Sequence, residues 1–487
     1  MSQIRTLEPK LLWGFFADIC DIPHPSKHEE KAVVYLVEFA KKSGLWCETD
    51  SVGNVLIRKP ATPGFENRAS VALQAHIDMV PQKNADTVHD FLTDPIRPVV
   101  DGDWVKATGT TLGADNGIGV AAALAVLAST ELEHGPLEVL ITIDEETGMT
   151  GANNLSANWL QSRILINMDS EDEGELFIGC AGGRNSNALL EYSSDPAPSG
   201  SKSYRLLLSG LKGGHSGLEI HLGRANSNKL MVRFLWEAVR QFDLCLSQFH
   251  GGNMRNAIPR EAVAHVTVPA EHEEAFLAMV QEYESMWNTE YARVEANISF
   301  KAEAILPLEV VMDKASEGLL LNALYALPNG AFRMIPGTGV VETSSNLSII
   351  RVADGQALIM CLLRSSVDSA RQDAANAFTS TFELIGASVE HTGDYPGWAP
   401  DFDSPILKTM QEAYRTKFGK ESEVKIVHAG LECGIIGGIY SDMDMISFGP
   451  TIRHPHSPDE KVHIGSVALY WAFLTEALTR VPLTRGV

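Results

Sequence analysis

Three short, largely apolar runs, each ending in carboxylate, constrain this chain more than any other feature. Residues 71–77 lead to Asp78, residues 137–143 lead to Asp144-Glu145-Glu146, and residues 164–168 lead to Asp169. Apolar runs of this length read as strands buried on both faces. Helical patterns separate them: apolar residues recur at helical period over 32–40, and 119–130 is rich in Ala, Leu and Val. The spacing Ser26-Lys-His-Glu29 reads as a capping box ahead of the first of these helices. Strands alternating with helices predict an α/β fold, with a mainly parallel sheet flanked by helices on both faces. Such sheets bind ligands at the carboxyl ends of their strands, which is where the acids fall.

The pattern breaks at 193–203 (SSDPAPSGSKS), a Pro/Gly/Ser-rich stretch that reads as a connection between domains. Strand-like runs (204–208, 264–268, 357–363) and helical runs (228–242, 271–283) follow, until a second irregular stretch at 392–404. A helix at 404–418 and an apolar strand at 445–448 then resume the α/β pattern. The organisation expected is a catalytic domain in two segments, 1–195 and 396–487, interrupted by an inserted α+β lid domain over 196–395.

Composition excludes some partners. There are 39 Lys+Arg against 62 Asp+Glu, a formal charge of −23. With no excess of cations to neutralise phosphates, neither nucleic acid nor an anionic membrane surface is expected as a partner. No apolar run approaches the ~18–20 residues that span a bilayer. The opening residues carry no plausible signal-peptide cleavage site. Six dispersed cysteines without CxxC spacing fit reduced thiols, so the expectation is a cytoplasmic protein.

The chemistry-bearing residues cluster at the strand ends. His76 and Asp78 share one face of their strand, an arrangement in which one imidazole nitrogen binds a metal while a carboxylate holds the other. Gly113, Gly117 and Gly119 allow a tight path around Asp115 and Asn116. With no Lys beside it, a fixed anionic side chain there suits a cation rather than a phosphate. Of the acids 144–146, one can ligate a metal while a neighbour takes a proton from water. Asp169 repeats the strand-end pattern, with Glu171, Asp172 and Glu173 close behind. In Arg453-His-Pro-His-Ser-Pro-Asp-Glu460, Ser457 reads as an N-cap, Pro458 as a first helical residue and Glu460 as the end of a capping box. That leaves His456, with His454 as its rival, as a possible ligand. Taken singly, each piece has an ordinary explanation as a strand-end His, an acidic turn or a surface His. Together they supply His, Asp, Glu, Asp and His, a thiolate-free set that favours zinc, with manganese or cobalt as substitutes. Two metals fit if one carboxylate bridges them.

The segments AHIDMVP, GTTLGADNGIG, IDEETGMTGA, GGHSG and HPHSPDE, with the Asp169 strand end, are ordered as in a known group. They resemble the di-zinc exopeptidases and deacylases that include acetylornithine deacetylase, carboxypeptidase G and the cytosolic dipeptidases. GADNGIG, CAGG and GLECG look most like the aminoacyl-histidine dipeptidase (peptidase D) branch.

The resemblance implies that Asp115 bridges two Zn²⁺ ions, with His76 and Asp169 completing one site and Glu146 and His456 the other. It makes Asp78 the residue that orients His76 and Glu145 the general base toward a water shared by the ions. It also implies a cis peptide after Asp115, an oxyanion donor in His215, and Asn256 and Arg364 as grips for the substrate's free carboxylate. Glu432 would hold the free α-amino group. The activity implied is hydrolysis of unblocked dipeptides, Xaa-His included, by a homodimer. The inserted segment is longer than in many members of the group. The rival activity is deacylation of N-acyl amino acids, and the rival of another class is a metal-binding protein without catalysis.

Overall fold

The computed structural model describes residues 3–484. The chain forms two units: one contains the residues up to Cys180, Trp398–Ile426 and those from Leu431 onward, the other Ala181–Gly397 and Val427–Gly430.

The first unit is built on an eight-stranded sheet. Its order is Trp46–Thr49, Val55–Lys59, Leu137–Thr142, Val71–His76, Ile164–Asn167, Asp444–Ser447, Glu175–Cys180 and Glu423–Val427. The central strands, from Leu137–Thr142 to Asp444–Ser447, run parallel. Val55–Lys59 and Glu175–Cys180 flank them antiparallel. Every residue of Val71–His76, Leu137–Thr142 and Ile164–Asn167 is buried, as runs covered on both faces require.

The helix Ala114–Ala128 is apolar almost all round, and 13 of its 15 residues are buried. It packs on Val71–His76 and on the helix Lys10–Cys20, and its alanines and glycines permit the close approach. A Cβ on Gly117 would meet the Phe16 ring at 3.0 Å.

Both capping boxes expected from sequence are absent. The first helix of that kind starts at Glu30 with no side-chain cap, and the last starts at Ile464, capped by His463 Nδ1, which accepts from Ser466 N at 3.0 Å. A short strand, Lys461–His463, stands where that last helix was expected to begin. Ser26, Glu29 and Glu460 point to longer-range partners, described below, while Ser457 Oγ accepts locally from Asp459 N at 3.2 Å and caps no helix.

The second unit is an antiparallel sheet with helices. Its strand order is Ser299–Ala304, Lys202–Ser209, Ala262–Val268, Cys245–Gly251, Val341–Ala353, Gln356–Ser365, Gly182–Glu191 and Ser388–Tyr395, with Gly330–Met334 also paired to Val341–Ala353. The rings of Phe234, Phe276, Tyr283, Trp287 and Phe300 stack edge-on or tilted into its core. The Pro/Gly/Ser-rich stretch 193–203 lies inside this unit, where Ser194–Pro196 pairs with Val310–Met312. Among the described residues Cys20, Cys47, Cys245, Cys361 and Cys433 are free thiols. Among the described residues no helix is long and apolar enough to cross a membrane.

Candidate metal centre

Five of the first unit's candidates converge at the carboxyl ends of the parallel strands. His76 Nε2 lies 3.3 Å from both Asp115 Oδ1 and Asp169 Oδ1. His456 Nε2 lies 3.2 Å from Asp115 Oδ2 and 3.0 Å from Glu146 Oε2. Asp115 therefore offers one oxygen to each histidine. Within each of the two triads, His76–Asp115–Asp169 and Asp115–Glu146–His456, the ligand atoms lie within 4.8 Å of one another. Glu145 joins His76 and Glu146 in a third group of the same kind. His454, the rival of His456, belongs to none of these groups.

The local backbone explains these placements. His76 ends its strand and turns Nδ1 to Asp78, 3.1 Å from the carbonyl and 3.3 Å from Oδ1, which leaves Nε2 free to ligate. Asp78 also accepts from the backbone N–H groups of Glu145 at 2.9 Å and Glu146 at 3.2 Å. One buried carboxylate thus fixes both a histidine and the turn presenting two acids. At Asp115 the helix departs from helical geometry and the Asp115–Asn116 peptide is cis. Asn116 Nδ2 donates to Met168 O at 2.8 Å and to Asp169 Oδ1, binding the two strand-end loops together.

The electrostatics are those of an anionic cluster short of cations. Burial pushes Glu145 well above its ordinary value, with Asp169, Glu432 and Glu146 adding to the rise. Burial likewise raises Asp169 to about 6, against the pull of His76, and Glu171 to about 8. Asp115 moves the other way: burial would raise it, but hydrogen bonds to His456 and His76 hold it below the carboxylate range. Hydrogen bonds to Asp115 and Glu146 push His456 up to about 11. Like charges packed this densely are relieved by divalent cations.

The donor set fits such ions. Ligand atoms around four-coordinate zinc, with bonds of about 2.0–2.1 Å, sit about 3.3 Å apart. The four His–carboxylate separations match that spacing. Glu146 Oε1 is buried without a hydrogen-bond partner, as an oxygen reserved for a metal would be.

Several supporting residues were read in the sequence only as helix caps or as part of an acidic turn. Ser26 Oγ donates to Asp78 Oδ2 at 2.8 Å. Glu29 Oε1 accepts from Lys27 N at 2.8 Å and Asp144 N at 3.1 Å, and Asp144 accepts from the hydroxyls of Thr147 and Thr150. Glu29, Asp78 and Asp144 form a further acidic group. Their oxygens are taken by N–H and O–H donors, so this group serves as scaffold. Glu460 is buried beneath the Asp115 loop, where burial raises it to about 7. The only sequence signal for Ser26, Glu29 and Glu460 was the S-x-x-E spacing, which pointed to local caps instead.

Glu432 begins the helix Glu432–Ile439 and is fully buried. Its Oε2 accepts from Gln74 Nε2 at 2.6 Å and Thr142 Oγ1 at 2.8 Å, while Oε1 has no partner. Burial lifts it to about 7.

His215, Asn256 and Arg364 belong to the second unit. His215 Nδ1 accepts from Gly217 N at 3.1 Å and Leu218 N at 3.0 Å. That leaves the ring's proton on Nε2. Burial, with Arg364 nearby, lowers His215 to about 4, so the ring is a neutral donor. Asn256 is exposed, and its carbonyl accepts from Ser216 N at 2.8 Å, beside the paired strands Gly214–His215 and Ala257–Ile258. Arg364 is buried, and its Nη1 donates to Tyr395 Oη at 3.0 Å. Its Nε has no partner, and among the described residues no carboxylate pairs with it. His428, also missed in the sequence, accepts or donates through Nε2 with Ser344 Oγ at 2.7 Å; burial and Arg364 lower it to about 3.

Comparison with known proteins gives consistent results. Residues 72–480 match the model of Peptidase family M20/M25/M40. The chain is 50% identical over 483 residues to the cytosol non-specific dipeptidase of Escherichia coli K12, covering 99% of this chain and 100% of that protein. The crystal structure of aminoacylhistidine dipeptidase from Vibrio alginolyticus superimposes with a TM-score of 0.94 at 49% identity, covering 99% of each chain. An aminopeptidase PepT structure from Bacillus cereus shares the fold, with a TM-score of 0.58 at 15% identity over 98% of this chain and 99% of that one.

Proposed function

The chain belongs to Peptidase family M20/M25/M40, and on that premise we propose that it hydrolyses unblocked dipeptides at the metal centre described above. It is a dipeptidase, a hydrolase of the metallopeptidase class, and its acid–imidazole cluster is the site for divalent metal. The observation that carries the reading is the pair of triads sharing Asp115, with Glu145 adjacent and not needed by either.

In this reading His76 and Asp169 would hold one ion and Glu146 and His456 the other, with Asp115 offering one carboxylate oxygen to each. The thiolate-free donors favour two Zn²⁺ per chain, with Mn²⁺ or Co²⁺ as substitutes. Bound there, the ions supply Lewis acidity to the peptide carbonyl and acidity to the attacking water. Glu145 takes the proton from that water and passes it to the leaving amine nitrogen. Its raised proton affinity suits that exchange. Asp78 keeps His76 in the tautomer that ligates through Nε2 and holds the Glu145 backbone. His215 Nε2–H is the donor to the developing oxyanion. Arg364, buried without a counterion, takes the substrate's carboxylate, with Asn256 assisting. Glu432 Oε1 is the acceptor for the free ammonium group.

Xaa-His substrates are included because the Vibrio relative is named for that class. A cytoplasmic location is supported by the name of the Escherichia coli relative. A homodimer formed through the second unit is supported by its exposed Leu218, Met254, Phe332 and Met334. Within this reading the inserted segment 196–395 acts as a lid domain.

A panel of free dipeptides and their N-acetylated analogues tests the activity. Cleavage of the free series with the acetylated series refused is expected; the reverse preference would make the protein an N-acyl amino-acid deacylase.

A further inference from the structure

Glu460 makes an unusual set of contacts for a residue that ligates nothing in the proposed site. It is 2% exposed, and its carboxylate faces four consecutive backbone N–H groups. Oε2 accepts from Leu112 N at 2.7 Å and Gly113 N at 3.0 Å; Oε1 accepts from Ala114 N at 2.7 Å and Asp115 N at 3.2 Å. The four donors converge because Gly113 adopts φ 72°, and a Cβ there would meet Met79 Sδ at 3.1 Å. Glu460 also belongs to the loop of His456, where its own N–H donates to Ser457 O at 2.9 Å. One side chain therefore braces the loop of His456 against the loop of Asp115.

We propose that Glu460 is a positioning residue: it holds the Asp115 carboxylate in ligating position and thereby sets how tightly the Asp115–Glu146–His456 site binds its ion. The inference rests on the reading of Asp115 as the shared ligand. Four backbone N–H groups converging from one tight loop form a concentrated positive nest, and an anion satisfies all four at once. A neutral amide of the same shape cannot, because its NH₂ would face two of the donors. With that brace weakened, Asp115 loses the backbone register from which it reaches both histidines. The His76 site keeps its Asp78 and Asn116 supports and is affected less.

The test is equilibrium zinc binding to the full-length protein in chelator-buffered solutions, read well below the melting temperature. Glu460→Gln is expected to bind one of its two ions at least tenfold more weakly than wild type, so that stoichiometry falls from two to one at a free zinc level that fills both wild-type sites. Glu460→Asp, which keeps the charge on a shorter arm, is expected to weaken binding three- to tenfold. Glu317→Gln is the control. Glu317 is likewise a buried carboxylate accepting a backbone N–H, from Leu246 at 2.6 Å, but it sits in the second unit. It should lower the melting temperature and leave zinc affinity unchanged, as a merely structural cap would.

Wild-type affinity for both ions in Glu460→Gln, while Asp115→Asn loses them, would overturn the inference alone. Retention of both ions by Asp115→Asn would overturn the reading beneath it. If Glu460→Gln does not fold, Glu460→Asp bears the same test, and affinities within twofold of wild type would overturn the proposal.

Discussion

In the first unit, carboxylates outnumber the imidazoles that face them; in the second, a buried guanidinium has no carboxylate partner among the described residues. Asp115, Glu145, Glu146, Asp169 and Glu432 crowd around His76 and His456, and most are pushed toward their neutral forms. Arg364 stands beside His215 and His428, and both rings are held neutral by burial and by that cation. A buried charge is costly unless paired, so each cluster specifies the sign of what completes it. The acidic one calls for metal ions, and the basic one for an anionic group such as a peptide's terminal carboxylate. The two also differ in how they are held. Acidic ligands are braced by backbone N–H groups through Asp78, whereas His215 is itself braced by the N–H groups of Gly217 and Leu218.

Perturbing each cluster separately sharpens the contrast. Exhaustive chelation should abolish dipeptide hydrolysis, with activity returning on adding Zn²⁺; undiminished turnover by metal-free protein, checked by elemental analysis, would break the reading of the acidic cluster. Arg364→Ala should raise KM for free dipeptides about 10- to 100-fold, the weight of a charge-assisted hydrogen bond of about 1.5–3 kcal/mol. Dipeptide amides, lacking the carboxylate, should lose much less; equal losses on both substrates would separate Arg364 from carboxylate binding. Asp78→Asn should cost about 10-fold or more in zinc affinity or kcat, in keeping with the loss of a partner that orients a metal-bound histidine. Ser26→Ala removes only one of the donors to Asp78 and should lower kcat by less than about fivefold, one hydrogen bond of roughly 1 kcal/mol or less.

Much of the first unit is legible in the sequence because a doubly covered parallel sheet writes itself as continuous apolar runs. The acids that end those runs stand out against them. Asp115 is legible for a different reason, since glycines around a lone Asp and Asn leave few alternatives to a tight loop. Residues whose partners lie far along the chain are not legible. Ser26 reaches Asp78, and Glu460 reaches residues 112–115, yet both sit in S-x-x-E patterns that local rules assign to helix caps. The local motif misleads because a buried carboxylate or hydroxyl serves whichever donors tertiary packing brings to it. His428 is opaque for the same reason: nothing near it in sequence announces Arg364 or Ser344. The antiparallel second unit writes weaker signals, and the Pro/Gly/Ser-rich stretch 193–203 belongs inside it, not at its edge.

The central claim is that Glu145 is a base beside the metal centre and not one of its ligands. Hydrolysis of a free dipeptide by Glu145→Gln, measured alongside bound zinc in the same preparation, tests it most directly. The account predicts that kcat falls by about 10³-fold while two ions remain bound. Full zinc content with wild-type kcat would contradict it.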